Sequence, residues 1–477
     1  MLERGGTQGI LLIVMIILAR LLQPEDFGLL VLVGIFITIA GLLAESGFTT
    51  ALIQKKKIDE IDYSSVFYLN LLVASILYLV LFFSAPIIAK FLEQQQLVEI
   101  LRILSLTLFL GVFNSIQNAL IGRTLQFKKL FHSSLCAVLV SAAVGITMAY
   151  ANFGIWALVG QLLTQRLLVT IFLWLTLKWR PRLLFSMERI KKLFLFSWKL
   201  LVSQLIDNLY NNFQNILIGK MFSPALLGFY SRGEQFPSFL VNNINGSIQS
   251  VLLPALASHQ DNIPRVKEIV RRSIVTSSFI TFPMMIGLAV IAEPLVSLLL
   301  TDKWLTAVPF LQIFCAVYAL WPIHTVNLQA INALGRSDIF LKLEIIKSII
   351  GLIILGISFQ FGIYMIAFGV FVSGVISVFI NSYPNLKLLD YSIKEQLKDL
   401  VPSLLISLAM GIVVYPILWF EMPAILTILI QITIGIVLYV ALAKSFKLEC
   451  FTYLVLTIKD MLRHKKKTEI TLKNEVS

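Results

Sequence analysis

Residues 71–83 read LLVASILYLVLFF and residues 425–443 read ILTILIQITIGIVLYVALA, two runs without a single charged side chain. Residues 10–19 and 349–358 are of the same kind. No water-exposed surface can carry such stretches, and a hydrocarbon core accepts about 20 mostly apolar residues per crossing. Inside that core every backbone N–H and C=O must be satisfied within the protein, so a span is either a helix or a barrel strand. Continuous rather than alternating apolar runs select the helix. Composition agrees: 58% of the 477 residues are hydrophobic, 14% are charged, and the mean hydropathy is +0.88. Soluble domains carry about 25% charged residues. The sequence therefore describes an all-α polytopic membrane protein.

Hydropathy places about fourteen transmembrane helices between residues 5 and 443. The seventh (196–220), eighth (225–256) and tenth (305–332) are unusually polar. The distribution of positive charge tests the count, because cytoplasmic loops collect lysine and arginine. With fourteen spans, thirty of the 39 basic residues fall on the side that holds both termini. Five fall on the other: Arg20, Lys90, Arg102, Lys220 and Lys303. Removing one helix would scramble that bias. The expected location is the bacterial cytoplasmic membrane, with both termini in the cytoplasm. The same asymmetry accounts for the net charge of +13 and the tail RHKKK (463–467). Those charges orient helices and rest on anionic lipid headgroups, so no nucleic-acid partner is implied.

The chain repeats itself. ARLLQPEDFG (19–28) closes the first span and GKMFSPALLG (219–228) closes the seventh. NALIGRTLQFKKL (118–130) follows the fourth and NALGRSDIFLKL (332–343) follows the tenth. An even number of spans separates the copies, so they are parallel repeats about an axis along the membrane normal. The expected domains are a six-helix lobe at 1–180, a basic cytoplasmic linker at 181–195 and a second six-helix lobe at 196–385. Two extra helices at 386–443 and a basic tail at 444–477 complete the chain.

Gln204, Asp207, Asn208, Asn211 and Asn215 fall on one face of span 7, with Asn212 and Gln214 beside it. Arg232, Gln235, Ser238, Asn242, Asn245 and Gln249 form a stripe on span 8. Polar groups at membrane depth face a bundle interior or a water-filled cavity. Interhelical hydrogen bonding is the alternative use for some of them. Amides and hydroxyls suit a sugar path, while Asp207, Arg232 and Arg166 (in span 6, beside Gln161 and Gln165) would meet a cation, a phosphate or a uronate. An ion pair with a neighbouring lobe's carboxylate is the other reading of Arg166. Glu344 and Lys347 have the spacing of a local pair, and Lys199 that of a snorkelling residue. At the 200-residue offset, Arg4, Thr7 and Gln8 correspond to Gln204, Asp207 and Asn208, which makes Arg4 and Gln8 candidates for the facing wall. By that offset the first helix lacks its opening turns, so either it is short or the true start lies upstream. Three cysteines and four scattered histidines have no metal-ligand spacing, and no cofactor is expected beyond a coupling cation, proton or sodium.

The run LYNNFQNILIGKMFSPALLGFYSRGEQFPSFLVNNINGSIQSVLLPALASHQDN (209–262), with ILARLLQPEDFGLL (17–30) and DKWLTAVPFLQIF (302–314), resembles the Wzx-type polysaccharide exporters. These belong to the multidrug/oligosaccharidyl-lipid/polysaccharide flippase superfamily, and the colanic-acid and teichuronic-acid branch is the most similar. The resemblance implies alternating access between two lobes, carrying a polyprenyl-diphosphate-linked oligosaccharide to the outer leaflet for surface polysaccharide synthesis. The partners it implies are that lipid-linked oligosaccharide, membrane lipids and other polysaccharide-assembly proteins. Gln214 stands where members often carry an aspartate, leaving Asp207 as the nearest carboxylate for a coupling role. A drug/cation antiporter and a peptidoglycan-precursor flippase share the superfamily. A membrane glycan polymerase or ligase would need a sizeable outward loop, and the outward loops here are short. There is no GxxxxGK[ST] segment for direct use of ATP. A transporter, not an enzyme, is expected.

Overall fold

The computed structural model describes residues 2–453 and 456, apart from 46, 56, 57 and 125. Within helices, the side chains of Arg4, Lys199, Asp207 and Asn211 lie outside the described residues. The chain divides into two compact units, Met1–Ser231 and Arg232–Ser477.

The first unit holds α1 (Leu2–Leu21), α2 (Pro24–Glu45), α3 (Phe48–Gln54), α4 (Glu60–Phe91), α5 (Leu97–Leu104), α6 (Thr107–Thr124), α7 (Phe127–Tyr150), α8 (Ile155–Thr176) and α9 (Met187–Met221). The unit boundary falls inside α10 (Pro224–Ala257). The second unit continues with α11 (Ile263–Val290), α12 (Ala292–Leu300), α13 (Val308–Ala319), α14 (Trp321–Ala333), α15 (Ser337–Ser358), α16 (Ile363–Leu389), α17 (Ile393–Val414) and α18 (Ala424–Ser445).

Ten helical segments among the described residues are long and apolar enough to cross a membrane. Four further spans of the sequence reading correspond to α1, whose apolar part is Gly6–Leu21, and to the more polar α9, α10 and α15. Exposed side chains mark the lipid side. Leu72, Ile76, Leu79, Val80, Phe83 and Ile87 run along one face of α4, each more than half exposed, at the spacing that puts them on a single stripe.

Two spans that read as continuous are broken. The fourth divides into α5 and α6 at Ser105–Leu106, and the tenth into α13 and α14 at Leu320. Ser105 Oγ donates to the Leu101 carbonyl at 2.6 Å and Thr107 Oγ1 to that of Leu104 at 2.6 Å, an alternative to the helical ladder that favours a break. Pro322 removes a donor at the start of α14. Each break precedes the NAL of its own echo by between three and four turns, so the internal repeat extends to where the helices fail.

The first echo is a helix stop, a turn and a helix start. α1 ends at Leu21 and α2 begins on Pro24; α9 ends at Met221 and α10 begins on Pro224. Proline suits the first helical position because its missing N–H would lack a partner there anyway. Asp26 accepts from the Gln23 N–H at 3.0 Å, and Ser223 Oγ accepts from the Leu226 N–H at 3.1 Å, so each start is also capped by a side chain. The two copies touch. A Cβ on Gly28 would sit 1.7 Å from the Pro224 carbonyl oxygen, and a Cβ on Gly228 would sit 2.0 Å from that of Pro24. The glycines are spaced so that each copy's helix start lies on the other's.

The second echo diverges at its arginines. Arg123 donates to three carbonyls at the end of α3, those of Leu52 at 3.0 Å, Ile53 at 3.1 Å and Lys55 at 2.6 Å. Arg336 instead makes two bonds of 2.9 Å to Asp338 at the start of α15. That guanidinium holds the Asp338 carboxyl down at about 2.

A polar clasp closes one end of the first unit. Asp62, with its side chain fully buried, meets Lys55 at 2.7 Å and Arg189 at 3.4 Å, and Arg189 also reaches Asp59 at 2.7 Å. The segment before α9 is tied down by its backbone: Arg182 N–H donates to Ser64 Oγ at 3.1 Å and Ser186 N–H to Ser65 Oγ at 2.9 Å. Asp62→Ala strands two half-exposed cations beside a buried gap, and is expected to cost about 1–3 kcal/mol. Thermal unfolding in detergent and protease cleavage within 178–189 both report it; an unchanged midpoint and unchanged cleavage would reduce the clasp to a surface decoration.

In the second unit α11 packs against α13, α14 and α17. A buried amide cluster joins α14, α16 and α17: Asn327 Nδ2 donates to Gln396 Oε1 at 3.0 Å, Ser382 Oγ donates to the same oxygen at 3.0 Å, and Asn385 Nδ2 donates to Asn327 Oδ1 at 2.6 Å. Such groups hold helices together in lipid, where burying apolar area gives no drive.

Candidate functional site

The polar stripes fall where the sequence puts them, on α9 and on α10. On α9, Gln204 is exposed, and Asn208 and Asn215 are half-buried. Asn208 Nδ2 donates to the carbonyl of Gln204 at 2.9 Å, and Asn212 Nδ2 to that of Asn208 at 2.9 Å. These amides bond back to their own helix, so their carbonyl oxygens remain as acceptors beside it. They do not tie α9 to a neighbour. The link between α9 and α10 comes from a flanking position instead: Gln214 donates to the Tyr230 hydroxyl. That is the use the structure gives to Gln214. Asp207 and Asn211 belong to the same stripe, with side chains outside the described residues, as is that of Arg4.

On α10, Arg232 is 7% exposed and its guanidinium donates to Gln235 Oε1. Ser238 Oγ donates to the Gln235 carbonyl at 3.0 Å, one turn on. Asn242 is exposed. Asn245 is 2% exposed, and neither of its amide atoms has a hydrogen-bond partner among the described residues. A buried amide without partners is costly, so this position is built for a polar contact rather than for packing.

Arg166, on α8, is exposed, and its charge acts on Glu45 at the end of α2. Glu45 lies in the same compact unit as Arg166. Gln161, one and a half turns earlier, is 5% exposed. Gln8 is exposed on α1. Lys347 and Glu344 pair at 2.6 Å, a local contact as their spacing indicates. Among the described residues no three His, Cys, Asp or Glu side chains come together as a metal site.

Two acids escaped the sequence reading. Glu234 accepts a hydrogen bond of 2.9 Å from the hydroxyl of Tyr318 on α13, and the Tyr318 ring stacks on Trp321 at 4.8 Å. Glu45 is the other. Each is the single acid within its predicted span (225–256 and 27–48), which is the signal that should have raised them, because a carboxyl in lipid is kept only where it is used. Neither lies in a run of amides, so neither belongs to a stripe.

Each unit, taken by itself, offers acceptors and donors within its helices, with Arg166 and Glu45 among them in the first and Arg232 and Glu234 in the second. A neutral, hydroxyl-rich solute matches the amides. A phosphate or carboxylate on that solute matches a guanidinium fork.

The chain as a whole is similar to known proteins. A sequence family described as polysaccharide biosynthesis protein matches residues 17–309. The chain is 24% identical over 413 residues to the teichuronic acid biosynthesis protein TuaB of Bacillus subtilis, covering 84% of this chain and 85% of that one. It is 25% identical over 418 residues to the lipopolysaccharide biosynthesis protein WzxC of Escherichia coli, covering 85% of each. In structure it is similar to the lipid II flippase MurJ in an inward closed conformation, with a TM-score of 0.74 and 17% identity over 93% of this chain and 97% of that one. The last likeness is one of fold.

Proposed function

The chain belongs to the polysaccharide biosynthesis protein family, and from that premise we propose that it is a flippase for lipid-linked oligosaccharide. In this reading it moves a polyprenyl-diphosphate-linked repeat unit from the cytoplasmic to the outer leaflet of the bacterial cytoplasmic membrane, for assembly of a surface polysaccharide. The excess of lysine and arginine on one side supports a topology with both termini in the cytoplasm. Two six-helix lobes related by the 200-residue echo would rock about the polar helices α9 and α10, each state favoured by its own contacts with the headgroup. The sugar would travel along the amide face while the polyprenyl tail stays in lipid. Glu45, Asp207 and Glu234 are carboxyls that could take up a coupling proton during the cycle.

The observation that carries the reading is the amide face of α9. Among its described members Asn208 bonds to its own backbone, as does Asn212 beside the face, and each keeps a side-chain oxygen as an acceptor beside the helix, as a sugar path requires. Deleting the gene in its host and labelling lipid-linked sugars by leaflet tests it. The expected result is accumulation on the inner leaflet with loss of surface polymer. Unchanged glycolipids with altered sensitivity to drugs or dyes would move the protein to the antiporters. Accumulation of peptidoglycan precursor alone would move it to the precursor flippases.

A further inference from the structure

A basic cavity lies between the first turns of α7 and the last turn of α8. It has a volume of about 350 Å³ and is lined by Lys128, Lys129, His132, Cys136, Phe172 and Thr176, with Ser133 at its wall. The other end of the α7–α8 hairpin is shut. There a Cβ on Gly145 would stand 2.7 Å from Gln161 Cβ, and one on Gly160 2.5 Å from the sulfur of Met148. The two helices meet closely near their connection and leave room between their free ends.

The lining has one sign of charge. Among the described residues Lys128 and Lys129 make no ion pair and no carboxylate lines the cavity. His132 Nδ1 lies 2.7 Å from the Lys128 carbonyl oxygen. A carbonyl only accepts, so Nδ1 carries the hydrogen and Nε2 is the atom left for a ligand. Ser133 and Thr176 spend their hydroxyl hydrogens on the carbonyls of Lys129 at 2.9 Å and Phe172 at 2.6 Å. The donors free to meet an anion are therefore the two ammonium groups. Beyond the cavity the same helices turn apolar and outward: Leu139 and Val140 on α7 are 53% and 47% exposed, and Ile171 and Leu175 on α8 are 42% and 76%. Charge at the mouth and grease along the adjoining faces describe one kind of molecule.

We propose that this cavity binds the phosphate of an anionic membrane phospholipid, whose acyl chains lie on the exposed faces of α7 and α8. Under the topology proposed above the site opens to the cytoplasmic leaflet, where such lipids give juxtamembrane lysines their partners. No residue of the amide face lines the site, and in this proposal it is a regulatory or anchoring contact rather than part of the sugar path.

The full chain, delipidated in detergent, is titrated with cardiolipin, phosphatidylglycerol and phosphatidylcholine under native mass spectrometry. Retention of the two anionic lipids over phosphatidylcholine is expected. K128Q/K129Q should weaken it about tenfold, and K128R/K129R should restore it, which separates lost charge from lost fold. K394Q/K398Q, elsewhere on the basic side, should leave it unchanged. Equal loss in K394Q/K398Q would overturn the assignment to this cavity. Full displacement of lipid by millimolar inorganic phosphate would make it a free-phosphate site. Tighter binding of farnesyl diphosphate than of either phospholipid would assign it to the transported lipid. Each of these results defeats the phospholipid proposal and leaves the flippase reading to its own test.

Discussion

Valine at Gly28 or at Gly228 is expected to keep the chain from reaching its folded state in the membrane, and alanine to reduce folded yield severalfold. The Cβ of either residue falls on a backbone carbonyl oxygen of the opposite proline, at 1.7 Å for Gly28 and 2.0 Å for Gly228. A side-chain tip could swing aside. A carbonyl at the first turn of a helix cannot, so α2 and α10 would have to part by more than an ångström at their starts. Overpacking of this kind costs about 1–3 kcal/mol for one methyl against yielding neighbours, and more where backbone is met. In lipid there is little hydrophobic drive to pull the helices back together, since close backbone approach at small residues is itself what holds them. Gly34 supplies the control, on the same helix with nothing within 4 Å of its Cβ. Gly34→Ala should be neutral or slightly stabilising, because alanine is the better helix former. Fluorescence of a C-terminal fusion, followed by size-exclusion profile and thermal midpoint, reads all three. A monodisperse Gly28→Val protein with an unchanged midpoint would mean that the two helix starts do not meet in the membrane.

This contact also shows what the sequence could and could not say. The echo itself was legible: Pro24 and Pro224, Gly28 and Gly228 stand at equal spacing, and the chain stops and restarts a helix at each. That the two echoes would lie on each other was not legible, because periodicity describes a helix face and says nothing of which face meets which. The broken fourth and tenth spans were invisible for a related reason. Hydropathy averages over a window, and Ser105–Thr107 or Leu320–Pro322 change that average little while rerouting the backbone bonds.

The candidate site divides in the same way. The stripes on α9 and α10 follow from spacing alone. The destination of each amide does not, since an asparagine at membrane depth can bond to its own helix, as Asn208 does, or stand buried without a partner, as Asn245 does. At the 200-residue offset Asn245 corresponds to Glu45, so one repeat holds an amide where the other holds an acid.

Arg232→Gln is expected to reduce export by about tenfold to a hundredfold while the protein stays abundant and folded. An arginine that is 7% exposed in a membrane helix carries a desolvation cost that a glutamine would avoid. The residue that accepts from it on the same helix, Gln235, is neutral. Binding a phosphate or uronate gives a reason to keep the charge, since charge-assisted hydrogen bonds contribute about 1.5–3 kcal/mol each. Glutamine keeps the length and the polar end, which limits the damage to packing. Lysine keeps the charge and loses the planar fork, so Arg232→Lys should export at an intermediate level. Surface polymer, membrane abundance and thermal midpoint are measured together for both variants. If Arg232→Gln exports normally, the arginine serves the fold of α10 and the stripe's charge is not used. If both variants fail with an unchanged midpoint, the site needs the fork itself, as recognition of a two-oxygen anion does and general electrostatic attraction does not.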